Sequence, residues 1–515
     1  PIIDFNSILY PLKNYAIAHG DLPFIIEVMQ GKEKRIVSYK TFYTTLLKVG
    51  HILKNTHKVK LHTKVSILPA NTLDSIYIIL GVILCGGIAV IINPNEPIER
   101  ITQQIEKVDS SLTIIDFTNQ SSNINWKTTT QDIVKESNNL IHSPNDIEFH
   151  FNSYQPALII FTTGTTSASK AVVQMHYSIA VNCHALVSSH QLDSKQRLLC
   201  TLPIYHVNGL EFTIFSSMIA GSCVVLCDNF DPFIYLELID KYKITIASLV
   251  PTMLDHLINE NSQRFDLSSL RYFATAAAPL SRKTSNLIWE KFSKRIIQGY
   301  GLTETMNFST LLPTTLNEDA YKYLMLDCDI PSAGQEVFGN EVAILKSNGA
   351  VVNEGEEGEI CMRGHNIMAG YLHNSAANKE CFKGGWFHSG DIGKFICLPF
   401  MKQRFLKITG RIKNIIKVNG HAVSLDEIDR LILNIEGVRD SITCAINDDI
   451  VGELPLSFVV RGNDSLTEIH IINVIAKSIN YQSLPRTIIF VSNIPRMKNG
   501  KVNRSLVLKE LLKNI

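Results

Sequence analysis

Short apolar runs alternate with longer segments of helical periodicity from the start of the chain to about residue 395. Each run has polar residues or glycine at its ends, and such runs are typical of strands buried on both faces of a parallel sheet. Strands that alternate with helices in this way predict an α/β fold. The predicted strands in this part of the chain are residues 64–68, 157–161, 221–226, 244–249, 270–274 and 296–298.

One long apolar stretch, residues 75–92, resembles a membrane span in its hydropathy. Its polar side chains are confined to the first three positions, but a span needs about 20 apolar residues, and this stretch contains the turn-forming pair Gly86 and Gly87. We therefore expect a buried helix that ends near Cys85, a glycine turn and a buried strand over residues 88–92. No transmembrane segment is expected.

The pattern changes after about residue 340, where strands with tight glycine turns replace the alternation of strands and helices. Residues 341–345 and 358–363 are the predicted strands of this β-subdomain. We place the domain boundary after residue 402, so that residues 1–402 form a large N-terminal domain of parallel-rich sheets packed with helices. Residues 403–515 then form a small α+β C-terminal domain.

The composition is that of a globular chain with a large core, since 45% of the 515 residues are hydrophobic and 19% are charged. The 49 basic and 48 acidic residues leave a formal net charge of +1, so bulk charge does not favour nucleic acid. The ten cysteines contain no Cys-x-x-Cys pair, which indicates reduced thiols rather than zinc ligands or disulfides. Because no basic-then-apolar segment opens the sequence either, we expect a cytoplasmic protein.

A loop rich in hydroxyl groups follows one of the predicted strands. Residues 161–170 read Phe-Thr-Thr-Gly-Thr-Thr-Ser-Ala-Ser-Lys and offer backbone N–H groups, hydroxyls and the Lys170 ammonium to a phosphate. This is not the phosphate loop of nucleotide triphosphatases, because Ser169 replaces the second glycine and Ala171 follows the lysine. On these residues alone, a Ser/Thr-rich surface turn is equally consistent with the pattern.

The loop resembles the phosphate-binding signature of the adenylate-forming enzymes, the superfamily of acyl-CoA synthetases, peptide-synthetase adenylation domains and luciferases. The usual form of that signature is [Ser/Thr]-Gly-Thr-Thr-Gly-x-Pro-Lys-Gly. The residues that match it are Thr163, Gly164, Thr165, Thr166 and Lys170. The residues that depart from it, where the superfamily has glycine, proline and glycine, are Ser167, Ser169 and Ala171. Further motifs of the same superfamily follow in the expected order along nearly the whole chain.

The segment at residues 298–305, Gln-Gly-Tyr-Gly-Leu-Thr-Glu-Thr, closely matches the form [Gln/Asn]-x-Tyr-Gly-x-Thr-Glu of that superfamily. The resemblance implies that Tyr300 stacks on adenine, that Thr303 contacts the α-phosphate and that Glu304 binds Mg²⁺. An aromatic face suits a purine, and a carboxylate suits a hard cation that bridges phosphates. A glycine-flanked turn between a strand and a helix is the alternative interpretation.

Two further segments resemble parts of the nucleotide site. The small-residue turn at residues 274–280 lets the backbone approach a flat base, and the resemblance assigns Ala276 and Ala277 to it. Residues 386–391, Trp-Phe-His-Ser-Gly-Asp, match the form Trp-[Phe/His/Tyr]-x-[Thr/Ser]-Gly-Asp. The resemblance implies that Asp391 accepts hydrogen bonds from both ribose hydroxyls, which the two oxygens of a carboxylate permit.

The C-terminal part of the chain carries two more motifs. Residues 409–420 resemble the segment that opens the mobile C-terminal domain of the superfamily, where Arg411 would contact ribose or phosphate. The resemblance also implies that pantetheine passes the backbone at Gly420, a place that suits glycine because it has no Cβ. Residues 495–504 resemble Pro-x-Thr-x-x-Gly-Lys-x-x-Arg, and Lys501 matches the lysine that reaches the carboxylate and the α-phosphate during adenylation. A basic, flexible tail is the alternative interpretation.

Residues 202–210, Leu-Pro-Ile-Tyr-His-Val-Asn-Gly-Leu, resemble the Pro-x-x-His segment of acyl- and aryl-CoA synthetases. The resemblance implies that His206 gates the acyl pocket. Adenylation domains for α-amino acids carry Phe-Asp here, so His206 argues against an α-amino acid substrate, although a core histidine is the alternative. The pocket walls are expected around residues 182–184, 207–210 and 299–307, and the identity of the acid stays open.

Together these motifs predict an AMP-forming acid–thiol ligase that uses ATP and Mg²⁺. The expected reaction activates a small carboxylic acid to an acyl-AMP, with charge neutralised by Glu304, Lys170 and Lys501, and then forms a thioester with CoA. The alternatives are loading of the phosphopantetheine thiol of an acyl carrier protein, and a non-catalytic relative that binds nucleotide or a carrier protein. No nucleic-acid partner is expected, and the oligomeric state stays open.

Overall fold

The computed structural model of the chain describes residues 7–116, 128–140, 152–162, 169–398, 401–448, 452–496 and 502–512. Three sheets and the helices between them build the chain up to Arg411, and a fourth sheet with its helices forms the C-terminal domain. The predicted α/β class, with a large N-terminal domain, a β-subdomain and a small C-terminal domain, is confirmed.

The largest sheet has nine strands, and parallel pairings join its six central strands. Antiparallel strands complete both edges. In spatial order the strands are Gln335–Glu336, Phe308–Leu311, Arg295–Gly301, Tyr272–Thr275, Ile246–Leu249, Arg197–Cys200, Cys223–Cys227, Pro23–Met29 and Lys32–Ser38.

The second sheet has six strands, of which the last four in spatial order pair in parallel. The order is Gly370–Tyr371, Ala171–Met175, Pro156–Phe161, Ile88–Ile91, Lys64–Leu68 and Leu112–Ile115. The second and third of these strands form an antiparallel hairpin, and the predicted phosphate loop connects them.

The apolar stretch at residues 75–92 folds as the pattern predicts. Helix Leu73–Leu84 is buried along its whole length, with the Thr72 hydroxyl accepting from the Ser75 N–H at its start. Gly86 adopts a φ of 76°, which suits glycine, and strand Ile88–Ile91 follows at the centre of the second sheet. Among the described residues, no helix combines the length and the apolar character that crossing a membrane requires.

Two smaller sheets complete the fold. The β-subdomain has four antiparallel strands, in the order Asn340–Leu345, Gly358–Gly364, Phe387–Leu398 and Met401–Arg411. The C-terminal domain has strands in the order His421–Ser424, Ile415–Val418, Gly452–Arg461 and Val438–Asp448, and Thr487–Val491 pairs in parallel with Gly452–Arg461.

Helices pack against the faces of these sheets. The α-helices are Leu9–Ala18, Tyr39–Asn55, Leu73–Leu84, Ile98–Val108, Thr130–Asn138, His176–His190, Ser216–Ala220, Pro232–Tyr242, Pro251–Ile258, Arg282–Phe292, Glu318–Met325, Ser375–Cys381, Leu425–Leu433, Glu468–Ile475 and Arg504–Leu512. The 3₁₀ turns are Ser262–Arg264, Thr303–Thr305, Lys383–Gly385, Ile412–Asn414 and Tyr481–Ser483, and residues Asn208–Phe215 form a π-helix.

The expected boundary after residue 402 falls within a strand. Strand Met401–Arg411 pairs with Phe387–Leu398 along most of its length and therefore continues the β-subdomain. We propose that the two domains join just after Arg411, where the 3₁₀ turn Ile412–Asn414 leads into the C-terminal sheet. All ten cysteines are free thiols, and eight of them are buried.

Candidate active site

Tyr300, Asp391 and Arg411 form one connected group at the junction of the large sheet and the β-subdomain. The Tyr300 hydroxyl donates a hydrogen bond of 2.9 Å to Asp391 Oδ2, and Arg411 Nε lies 2.7 Å from Asp391 Oδ1. Tyr300 and Asp391 are buried. Burial and the Asp391 charge raise the pKa of Tyr300 well above its ordinary value, so the phenol stays protonated.

The fold positions these three residues through strand register and close packing. Asp391 and Arg411 are directly opposite each other in the antiparallel pair of the β-subdomain. Tyr300 comes near the end of strand Arg295–Gly301, where a Cβ on Gly301 would lie 1.6 Å from the Asn307 carbonyl oxygen. The glycine therefore lets the strand turn sharply after Tyr300.

The turn before Asp391 is also fixed by hydrogen bonds. Ser389 Oγ donates to the Ile360 carbonyl over 2.6 Å and accepts from the Asp391 N–H over 3.0 Å. Glu359 Oε1 accepts from the Gly390 N–H over 3.0 Å. These contacts tie the motif to the neighbouring strand Gly358–Gly364, so the Asp391 carboxylate has a defined position.

Glu304, Tyr371 and Lys170 form a second group beside the first. The Tyr371 hydroxyl donates a hydrogen bond of 2.8 Å to Glu304 Oε1, and Lys170 Nζ lies 4.6 Å from the centre of the Tyr371 ring. Burial and the Glu304 charge raise the pKa of Tyr371, which keeps its hydroxyl a donor. A cation above an aromatic face is attracted to the ring, so Tyr371 positions both charged groups.

The 3₁₀ turn Thr303–Thr305 is held from two directions. Gln174 Nε2 donates to the Thr303 carbonyl over 2.8 Å, and the Met368 N–H donates to the Glu304 carbonyl over 2.8 Å. The backbone at Thr303 is therefore fixed by the hairpin of the second sheet, and the backbone at Glu304 by the segment that precedes strand Gly370–Tyr371. The side chains of Thr303 and Glu304 remain partly exposed, as ligand contact requires.

Ser169, one of the departures from the family signature, is an anchoring point. Its hydroxyl accepts hydrogen bonds from Arg100, at 2.8 and 3.0 Å, and from Gln104 at 3.1 Å, and Lys107 Nζ donates to its carbonyl over 2.6 Å. All three donors lie on helix Ile98–Val108. A proline here would lack the hydroxyl, so this chain holds the end of its loop by polar contacts instead.

The expected base-binding turn has a strained backbone. Ala276 is buried and Ala277 is exposed, and Ala277 adopts a φ of 71°. A residue with a Cβ rarely adopts this conformation. The contact of Ala276 and Ala277 with a base stays a prediction.

His206 lies at the start of the segment that the sequence assigns to the acid pocket. Its ring centroid is 4.8 Å from that of Tyr205, whose hydroxyl accepts from Asn95 Nδ2 over 3.0 Å. The π-helix Asn208–Phe215 begins two residues later, and a Cβ on Gly209 would lie 2.5 Å from the Pro203 carbonyl oxygen. The glycine therefore allows the turn that presents His206, which is itself only partly buried.

Arg411 connects the nucleotide group to the C-terminal domain. Its backbone N–H donates to Asp426 Oδ2 over 2.9 Å, and Asp426 also pairs with Arg504. Arg504 Nη1 lies 2.8 Å from Asp429 Oδ2, so this guanidinium bridges two carboxylates of helix Leu425–Leu433. Gly420 is at the tip of a tight hairpin turn with a φ of 80°, and a Cβ there would meet no atom of the described residues within 4 Å.

Several predicted site residues lie outside the described residues, namely Thr163, Gly164, Thr165, Thr166 and Lys501. The other predicted residues fall into the groups above. The sequence alone assigns no site role to Tyr371 and shows Ser169 only as a departure from the family signature, because the partners of both are distant in the chain. The signal that could have identified Tyr371 is the match of residues 368–371, Met-Ala-Gly-Tyr, to the superfamily form Met-x-Gly-Tyr.

The donor set fits a magnesium nucleotide. Among the described residues, Glu304 accepts one hydrogen bond, at Oε1, which leaves Oε2 available to a hard cation. Asp391 Oδ2 accepts from the Tyr300 hydroxyl and Oδ1 faces Arg411 Nε, and the two oxygens of a carboxylate can each accept more than one hydrogen bond, which is compatible with a ribose diol. Lys170 belongs to the group of Glu304 and Arg411 to the group of Asp391, so each group contains a cation that could give countercharge to phosphates.

Fold and site thus define an adenylate-forming ligase, and comparison with known proteins gives the family. The family model described as AMP-binding enzyme matches residues 12–372, and the AMP-binding enzyme C-terminal domain matches residues 427–501. The chain belongs to the AMP-binding enzyme family and is an AMP-forming acid–CoA ligase that uses ATP and Mg²⁺. The predicted superfamily, enzyme class and cofactors are confirmed.

The chain is 27% identical to 4-coumarate-CoA ligase 1 of Narcissus pseudonarcissus, over 96% of this chain and 92% of that protein. Two solved structures share the fold. ATP-bound MatB from Rhodopseudomonas palustris is 21% identical with a TM-score of 0.86, over 99% of both chains. O-succinylbenzoate coenzyme A synthetase from Bacillus subtilis, with ATP and magnesium, is 22% identical with a TM-score of 0.82, over 96% of this chain and 98% of that chain.

Proposed function

We propose that this ligase activates a small carboxylic acid as its acyl-AMP and transfers the acyl group to the thiol of CoA. The observation that carries the proposal is that two groups of side chains lie near the end of strand Arg295–Gly301. The Tyr300 and Asp391 group supplies contacts for adenosine, and the Glu304, Tyr371 and Lys170 group supplies charge beside it. The names of the curated relatives, which are CoA ligases, support CoA as the acceptor.

In the first half-reaction, the acid carboxylate attacks the α-phosphate of ATP and pyrophosphate leaves. Both reactants are anionic, so their approach requires countercharge in the site. Magnesium held by Glu304 would supply part of that charge. Lys170 orients the phosphates, Thr303 donates its hydroxyl to the α-phosphate, and Lys501 is proposed to neutralise the carboxylate.

In the second half-reaction, a thiolate attacks the acyl carbon of the mixed anhydride and AMP leaves. We place the pantetheine arm beside Gly420, and we place His206 at the entrance of the acid pocket. Rotation of the C-terminal domain between the half-reactions would exchange Lys501 for the thiol channel. The ten free thiols favour a reducing compartment such as the cytoplasm.

The proposal is tested by acid-dependent exchange of labelled pyrophosphate into ATP, followed by thioester formation with CoA or with a pantetheinylated carrier protein. The panel of acids starts with cinnamic acids and extends to acetate, fatty acids and benzoates. We expect exchange with at least one acid and thioester with CoA. A protein that loads only the carrier would overturn the choice of acceptor, and no exchange with any acid would overturn the proposed activity.

Lys501→Ala separates the two half-reactions. We expect pyrophosphate exchange to fall about 10²–10³-fold, because a charge contact of the adenylation transition state is lost. Thioester formation from a supplied acyl-AMP is expected to persist. Equal losses in both assays would remove Lys501 from its assigned role.

A further inference from the structure

A buried carboxyl group lies where the three expected walls of the acid pocket meet. Glu211 is fully buried in the π-helix Asn208–Phe215, five residues after His206. Its Oε2 accepts a hydrogen bond of 2.8 Å from Asn307 Nδ2, and the Cys183 thiol lies beside the same carboxyl. Asn307 belongs to the predicted wall at residues 299–307 and Cys183 to the wall at residues 182–184. The start of the π-helix belongs to the wall at residues 207–210.

The second oxygen of this carboxyl is unsatisfied. Among the described residues, Glu211 Oε1 has no hydrogen-bond partner although it is buried. Asn182 Oδ1 is also buried without a hydrogen-bond partner among the described residues. Asn182 Nδ2 donates to the Phe308 carbonyl over 2.9 Å, and this bond orients the amide. Both atoms are acceptors, and buried acceptors are normally paired. Apart from the Cys183 thiol, which is only a weak donor, the described residues place no donor at Glu211 Oε1, and they place none at Asn182 Oδ1.

Packing alone does not explain a carboxyl group at this position. Its neighbours Leu210 and Phe212 are buried apolar residues, and a leucine in place of Glu211 would not carry an unpaired polar atom. The helix is also irregular here, because the Ser216 N–H donates to the Glu211 carbonyl, five residues back. π-Helices are rare and are frequent at functional sites.

We propose that the acid substrate carries a hydrogen-bond donor, a hydroxyl or an amino group, at the end remote from its carboxylate, and that Glu211 Oε1 accepts that donor. This inference rests on the proposed function and names the substrate class. The reacting carboxylate belongs beside Glu304 and Lys170, and Asn307, three residues after Glu304, donates the hydrogen bond to Glu211. The remote end of the acid is therefore the part that faces Glu211.

The test measures kcat/KM for pyrophosphate exchange with matched acids at about pH 8.5. Burial raises the pKa of Glu211 to about 7, so at this pH the carboxyl is ionised and Oε1 acts only as an acceptor. One series is cinnamic acid with a para hydroxyl, amino, methoxy or hydrogen substituent, and the other is hexanoic acid with the same four terminal groups. We expect the hydroxyl or amino acids of at least one series to exceed their methoxy and unsubstituted partners by about tenfold or more, because a site built around a buried acceptor rejects analogues without the donor. Preference for the hydroxyl or for the amino acid identifies which donor is read.

Two variants give opposite signatures. In Glu211→Gln, the amide oxygen would keep the hydrogen bond from Asn307, so the NH₂ group would face the pocket as a donor. We expect its preference to move from amino to methoxy acids, which a merely structural defect would not produce. In Glu211→Leu, we expect the unsubstituted acids to become the best substrates.

The outcomes are distinguishable. Equal kcat/KM across both series in the unmodified enzyme would overturn this inference while leaving acid activation intact. An unchanged ranking in Glu211→Leu, with exchange still measurable, would also overturn it. A protein that activates no acid at all would overturn the proposed function and this inference with it. The ranking in the unmodified enzyme decides the matter even where a variant fails to fold.

Discussion

At the scale of single residues, the position of Tyr371 carries the most information about the site. Its hydroxyl donates to Glu304 and its ring lies under Lys170, so one side chain orients both charged groups. The sequence assigns Glu304 and Lys170 by motif, but the partner of the Tyr371 hydroxyl lies 67 positions away in the chain. Sequence motifs predict which residues bind ligand. They do not predict the contacts that orient those residues, because these contacts depend on the tertiary structure.

Tyr371→Phe removes the hydroxyl and keeps the ring. We expect kcat for acid-dependent AMP formation to fall about tenfold, because a hydrogen bond to a charged group contributes roughly 1.5–3 kcal/mol and Glu304 would lose its orientation. The measurement is a magnesium titration of the initial rate. Tyr15→Phe is the control, since it removes a hydroxyl bonded to the Ala220 carbonyl, away from the site. An unchanged kcat in Tyr371→Phe would place Tyr371 outside the catalytic arrangement.

Glu211 predicts a pH dependence of stability. Burial raises its pKa from 4.5 to about 7, so the folded protein holds a proton that the unfolded chain loses at lower pH. The folded state binds more protons in that interval, and the free energy of unfolding therefore falls as the pH rises from about 5 to about 8. For one group, the loss amounts to roughly 3 kcal/mol.

Urea midpoints at the two ends of that pH interval measure this effect. In Glu211→Gln the decrease should be smaller by the contribution of this carboxyl. Asp429, whose pKa burial raises to about 6, is present in both proteins and cancels in the comparison. Parallel pH profiles for the two proteins would show that Glu211 does not titrate in this range.

At the scale of elements, the apolar runs predict the strands to within about three residues. The run at 221–226 is an instructive difference, because Gly221 has a φ of 76° and ends helix Ser216–Ala220, so the strand begins only at Cys223. The π-helix Asn208–Phe215 is not predicted, since its i→i+5 bonding has no periodic signature over so short a segment. Local patterns identify element types, and their ends are set by turns and packing.

Arg504 begins the last helix and attaches it to helix Leu425–Leu433. Its guanidinium pairs with Asp426 and Asp429, one turn apart, three residues after Lys501. Arg504→Leu would leave two carboxylates without their cation, at a cost of roughly 3 kcal/mol for a largely buried arrangement. We expect the C-terminal domain to unfold at a lower denaturant concentration, which tryptic digestion along a denaturant series measures. We also expect reduced pyrophosphate exchange.

Arg461→Leu is the matched control for that substitution. Arg461 is exposed and lies over the Phe490 ring at 4.1 Å, in the same domain. We expect a change of less than about 1 kcal/mol from it. Similar destabilisation by the two substitutions would mean that the contacts of Arg504 with Asp426 and Asp429 do not contribute specifically to the stability of the domain.

At the scale of the whole molecule, the order of motifs predicts two domains and their family, but not how the domains meet. The structure places Lys283 Nζ 2.9 Å from the Val438 carbonyl, across the two domains. Arg496 pairs with Asp440, with two contacts of 2.7 Å, and faces Asp255 of the N-terminal domain. Single charged residues carry no sequence signal for such a contact, because a lysine or arginine that faces only solvent has the same pattern in the sequence.

Lys283→Ala should change the balance between the two half-reactions. The contact with Val438 exists in one orientation of the C-terminal domain, so its loss should disfavour that orientation by about fivefold. We expect pyrophosphate exchange and thioester formation from supplied acyl-AMP to change in opposite directions. Lys294→Ala, on the same domain, is the control. Equal changes in both rates would show that this contact does not select an orientation.

In evolutionary terms, if Glu211 contacts the acid as proposed, the wide turn at Asn208–Phe215 makes the chemistry of the pocket depend on a single codon. The i→i+5 bond at Glu211 accommodates more residues per turn than the 3.6 of an α-helix. Deletion of one codon in this segment would let α-helical bonding resume and would turn the side chains by about 100°. An apolar neighbour would then take the place of the carboxyl. A lineage could thus exchange a polar acid for an apolar one while its nucleotide machinery stays unchanged.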